Sequence, residues 1–127
     1  MRIAIFLIAW IFSTNIFSAW STAEQLSVGC QRYLEYIDSG DKEAFGKDIT
    51  AGHCFGAVEA VAFTLGYMKN EGMLREDIFC PPEASITDLI RYIVVFIHKN
   101  PEIKEAPAAE VIQHALTTGV FKCGNRK

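Results

Sequence analysis

Apolar residues return at helical intervals in four stretches of the chain. Over residues 24–38, Leu26, Cys30, Tyr33, Leu34 and Ile37 share one face, which predicts an amphipathic helix ended by Gly40 and followed by a polar loop through Asp41, Lys42 and Glu43. A second helix is expected from Asp48 or Thr50, either of which can cap it, to about Asn70. Cys54, Val58, Val61, Leu65 and Met68 are spaced along it like the seam of a bundle. Beside that seam Gly52, Gly56 and Ala60 recur every fourth residue. Such a row lets another backbone come close, and in a soluble protein it is most often plain packing.

Ser85-Ile86-Thr87-Asp88 has the form of a capping box and should open a third helix, which Asn100-Pro101 must end. Residues 92–97 (Tyr-Ile-Val-Val-Phe-Ile) are apolar on every side, as in a central helix or one half of a dimer interface. So β-branched a run also suits a strand, but the upstream cap and the length to Lys99 favour helix. The fourth helix starts with Pro107 in its first turn, should bury Ala108, Val111, Ile112, Ala115 and Leu116, and stops at Gly119, which can take a left-handed cap. The fold class expected is all-α, a small bundle of about four helices.

Ahead of these helices lies a run of another kind. Met1 and Arg2 supply a positive start, and residues 3–17 are apolar but for Ser13, Thr14 and Asn15, the pattern of a secretory signal peptide. The run is shorter than the roughly 20 residues needed to span a bilayer. Ser21 and Ala23 place small residues at the minus-three and minus-one positions, so cleavage is expected after Ala23, with a leader over 1–23 and a domain over 24–127. An uncleaved anchor is the alternative. A lipobox at Val28-Gly29-Cys30 is disfavoured by Glu24, Gln25 and Ser27.

Removing 23 of 127 residues leaves enough for one small domain and no second. Without Arg2 the formal charge is about −4, with both signs scattered, so neither a nucleic-acid patch nor a polybasic membrane tract is expected. Four cysteines in a small exported domain argue for two disulfides. Cys30 and Cys54 can face each other across the first hairpin. Cys80, ahead of the third helix, and Cys123, past the fourth, would meet at the opposite end, so Cys30–Cys54 and Cys80–Cys123 is the favoured pairing. Zinc is the competing use, but there is no C-x-x-C pair, and His53, His98 and His114 lack ligand spacing with the cysteines. No metal or cofactor is expected.

Catalytic motifs are missing too: there is no G-x-S-x-G elbow, no H-E-x-x-H, no phosphate loop and no dinucleotide fingerprint. His53 adjoins Cys54, but neighbours on a helix point about 100° apart. His98 and His114 read as cap or surface groups, and Glu59 as a solvated acid.

The order of these features resembles a known family. Gly52-His53-Cys54-Phe55-Gly56-Ala57-Val58 is followed by Phe79-Cys80-Pro81-Pro82, then Ile86-Thr87-Asp88-Leu89, then His98-Lys99-Asn100-Pro101-Glu102, and finally Ala115-Leu116 ahead of Phe121-Lys122-Cys123. Together they are similar to the Rap/Tai immunity proteins of bacterial type VI secretion over essentially the whole mature chain. Ala57 stands where that pattern usually has tyrosine, and Lys122 where it has proline. The resemblance implies a periplasmic, disulfide-bonded helical protein, often a homodimer, that plugs the cleft of a peptidoglycan amidase effector and is not itself an enzyme. It also implies that Cys30, Cys54, Cys80 and Cys123 are the bridged positions.

Inhibitory contacts in such proteins vary with the effector, so candidate contact residues come from physical grounds. Met73, Leu74 and Arg75 lie on a charged loop with an apolar tip, suited to entering a cleft, unless Met73 and Leu74 fold back on the core. Asn100 and Glu102 lie on a second polar connection. A different class stays open: an HdeA-like acid-stress chaperone or a general periplasmic binding module.

Overall fold

Thr22 starts the first helix, α1 (Ala23–Ser39), because its hydroxyl accepts from the Gln25 backbone N–H while the Gln25 side chain accepts from the Thr22 N–H. The structure is a computed structural model and describes residues 21–80 and 84–123; the apolar run of the expected leader lies outside them. Gly40, at φ 75°, closes α1 in the left-handed conformation open to glycine. The polar stretch expected as a loop is instead a short helix, α2 (Lys42–Lys47), capped by Asp41. Six mostly polar residues carry too little periodicity to announce it. Its Phe45 alone turns inward, edge-on to Tyr33 at 5.4 Å.

Asp48 starts α3 (Ile49–Asn70), accepting from the Thr50 and Ala51 N–H groups and the Thr50 hydroxyl. The same carboxylate takes the Tyr36 hydroxyl at 2.9 Å and faces Arg32 at 3.3 Å, so one side chain joins a helix start to the flank of α1. Ser85 and Asp88 form the expected box at the start of α4 (Ile86–Lys99). A 3-10 turn (Pro101–Ile103) and α5 (Ala108–Thr118) complete the chain. Among the described residues there are five α-helices and no strand, so the all-α class holds with one helix more than expected.

α1 and α3 make the most extensive helix pair and run antiparallel: Tyr36 meets Asp48, Cys30 is bonded to Cys54, and Ser21 lies near His53. They touch so closely that a Cβ at Gly29 would overlap the Thr50 carbonyl. Beside that contact Cys30 and Cys54 form a fully buried disulfide. Cys80 pairs with Cys123, as favoured, tying the segment before α4 to the segment after α5. The Cys80 N–H donates to the Phe121 carbonyl and the Cys123 N–H to the Asp77 carbonyl, over buried Phe79 and Phe121.

α4 takes the place of a central helix, one of its two expected roles: Leu89, Ile90, Ile93 and Ile97 are buried against α1, α3 and α5, while Asp88, Arg91, Val95, His98 and Lys99 point outward. Two expectations need correcting. Ile37 is exposed, because it lies in the last turn of α1, past the point where the start of α3 covers that face. Gly119 is not left-handed, with φ −94°; a side chain there would collide with the Tyr92 hydroxyl. The residues just ahead of the expected cleavage point take part in the fold: the Ala23 N–H donates to the Ala106 carbonyl, the Ala108 N–H to the Ser21 carbonyl, Ala23 is fully buried, and Thr22 caps α1.

Two outcomes follow from this packing. Replacing Gly29 by Ala should destabilise the protein by about 2 kcal/mol or more through the clash with Thr50. If helix propensity alone mattered, the same change would stabilise it by about 1 kcal/mol, so the sign in a urea melt decides. The second outcome concerns pH. Hydrogen bonds from the Thr50 hydroxyl, the Ala51 N–H and the Tyr36 hydroxyl hold the Asp48 carboxyl well below the usual carboxylate range. A pKa depressed in the fold adds stability above the unfolded value, and that stability fades as pH falls toward the folded one. Asp48→Asn should thus be less stable than wild type at pH 7, with the gap narrowing below about pH 4; a gap independent of pH would contradict this origin.

Candidate partner-binding surface

After α3 the chain turns back on itself at Gly72, φ 70°, and the Met73 N–H donates to the Met68 carbonyl at 2.8 Å. That reversal separates the two apolar residues of the loop. Met73 projects into solvent, 64% exposed, whereas Leu74 folds back and packs on the core. Arg75 donates from Nε and Nη2 to the two carboxylate oxygens of Asp77, at 3.1 and 2.9 Å. Both side chains are exposed, so the pair adds little stability, but it fixes the loop's shape and neutralises Arg75 locally. Cys80 then anchors the loop to the end of the chain.

Asn100 has a structural role: its side-chain amide donates to the Phe96 carbonyl at 2.7 Å and closes α4. Glu102 stands exposed in the 3-10 turn. The two candidate loops do not converge on one site. Leu74 borders a hollow between α3 and α5 with Met68 and Ala109, while Ile103 borders another on the far side of α5 with Phe96 and His114; Gln113 lies between them.

The three histidines stand in unlike surroundings. His53 lies 3.4 Å from the Ser21 hydroxyl and Cys54 is disulfide-bonded, so no thiol and base pair exists there. His114 stands edge-on to Phe96 at 5.9 Å, and His98 is exposed at the end of α4. Among the described residues no polar or charged side chain is buried, and no three His, Cys, Asp or Glu residues converge as a metal site.

An exposed apolar side of α3 extends the row of small residues noted in the sequence. α3 buries only Ala51, Cys54, Val58 and Leu65. Its opposite side presents Ile49 at 87% exposure, Phe63 at 76% and Tyr67 at 54%, in line with exposed Gly52, Gly56 and Ala60. The glycine row thus faces open space and packs against nothing within the domain. The available signal was the composition of α3, apolar around its whole circumference, which a single buried seam does not require. Among the described residues it is the one helix long and apolar enough to cross a membrane, a test that core helices of soluble proteins also pass.

Comparison of the chain with protein families, curated proteins and solved structures finds no match.

Proposed function

We propose that this protein is an exported immunity protein that binds a type VI peptidoglycan amidase effector and blocks its cleft, the function that the Rap/Tai resemblance implies. It acts by stoichiometric binding, with no catalytic step of its own. The observation that carries this reading is Met73: an exposed, flexible apolar side chain on a loop braced by Gly72, the Arg75–Asp77 pair and a disulfide. Bracing lowers the entropy lost on binding, and an apolar anchor amid charges suits a partly polar cleft. Exposed Glu102, on the other side of α5, is a second and separate candidate contact. The two disulfides fit an oxidising compartment, and the periplasm is the proposed one.

The outer side of α3 suits a second copy of the chain. In an antiparallel pair centred between Glu59 and Ala60, Phe63 of each copy meets Gly56 of the other and Tyr67 meets Gly52, large against small. Homodimerisation through this face would leave both Met73 loops free.

Met73→Asp should leave the helical circular dichroism unchanged and weaken binding to the amidase about 30-fold, the scale of a hot spot near 2 kcal/mol. It should also abolish rescue of cells that export that amidase to the periplasm. Wild-type rescue by the variant would remove Met73 from the contact, and failure of the wild-type protein to bind any amidase would remove the function. The exposed α3 face favours a second reading, a general periplasmic holdase. Suppression of the aggregation of unrelated proteins at about pH 2 to 3, blocked by Phe63→Asp, would select it.

A further inference from the structure

The two disulfides stand in different surroundings. Cys30 and Cys54 are 0% and 1% exposed, sealed between α1 and α3. Cys80 and Cys123 are only half-buried, and the Lys69 ammonium lies 3.4 Å from Cys80 Sγ and 3.8 Å from Cys123 Sγ. We propose that Cys80–Cys123 is a thiol–disulfide exchange site, opened by a dithiol reductant while Cys30–Cys54 stays closed, and that Lys69 promotes the opening. This inference is independent of the immunity function.

A disulfide is neutral, so an ammonium beside it gains little from the closed bridge. Once the bond breaks, one sulfur carries a negative charge, and a cation at contact distance in a half-buried site stabilises that product. Lys69 thereby improves the leaving group and favours the reduced state. The two sulfurs are not equivalent. Lys69 is nearer Cys80, while the Glu76 carbonyl oxygen lies 2.9 Å from Cys123 Sγ, where its negative end opposes a thiolate. Charge therefore collects on Cys80, and the nucleophile attacks Cys123.

The exchange balances as follows. One thiolate of the dithiol attacks Cys123 Sγ, a mixed disulfide forms, the Cys80–Cys123 bond breaks, and its electron pair stays on Cys80 beside Lys69. The second thiol of the reductant gives up its proton and attacks the mixed disulfide at its own partner sulfur. The reductant leaves as a cyclic disulfide, oxidised by two electrons, and Cys123 is released as a thiolate that takes up a proton. Opening unties the segment before α4 from the segment after α5, whose remaining links include the Cys80 to Phe121 and Cys123 to Asp77 backbone bonds and buried Phe79 and Phe121. It thus loosens the anchor of the loop that carries Met73 without unlocking α1 from α3.

The test is graded dithiothreitol at pH 7 on the folded, full-length exported protein, quenched with iodoacetamide and mapped by peptide mass. Cys80 and Cys123 should be alkylated at least roughly tenfold faster than Cys30 and Cys54, and Lys69→Met should slow that opening roughly tenfold while Lys69→Arg keeps it near the wild-type rate. Simultaneous opening of both bridges in the wild-type protein would overturn the proposal whether or not the variants fold. Wild-type rates in a folded Lys69→Met protein would overturn the role of Lys69.

Discussion

The contact between α1 and α3 at Gly29 is what the rest of the molecule depends on. With no side chain there, the backbone of α1 meets the Thr50 carbonyl, and the buried Cys30–Cys54 bridge fastens the pair at the same level. A bridge that closes a loop of this length contributes on the order of 3 kcal/mol in the chain-entropy picture, a large share of the stability of a small domain. The antiparallel pairing places Asp48 against Tyr36 and Arg32, so the start of α3 is set by α1. It also decides which side of α3 is buried. The side that holds Cys54 and Val58 goes inward, and the side with Gly52, Gly56, Phe63 and Tyr67 is left outside.

From that frame the molecule divides into a rigid half and an addressable half. The sealed bridge and the cores of α1, α3 and α4 carry stability. The second bridge, at the surface and beside a lysine, holds the Met73 loop to the end of the chain. Exposed apolar groups, the loop and the reducible bridge all lie outside the Gly29 contact. Changes there need not loosen the helix pair, which is what the proposed binding function requires.

Much of the fold was legible in the sequence because its signals are local. The Ser85 box, the Asn100-Pro101 stop and the seam of α3 each depend on residues within a turn or two, and the cysteine pairing followed from helix order. What was not legible depends on tertiary contacts. α2 is too short to show a period. The packing of Ser21, Thr22 and Ala23 was not legible because it depends on backbone near Ala106 and Pro107, some 85 residues away. Gly119 looked like a cap although its neighbour is Tyr92. Of the candidate contact residues, Met73 and Glu102 are exposed as expected, whereas Leu74 is spent on packing, Asn100 on ending α4, and Arg75 on its pair with Asp77. The exposed side of α3 was legible only in its row of Gly52, Gly56 and Ala60; that Ile49, Phe63 and Tyr67 stand uncovered beside it depends on which side α1 packs against.

The most direct test of the proposed binding function is hydrogen exchange of the protein with and without a peptidoglycan amidase effector. Slowed exchange on binding is expected in residues 71–77 and around Glu102, with α1 and the inner side of α3 unchanged because they are already protected. No change anywhere at saturating effector, or protection confined to the outer side of α3, would contradict it.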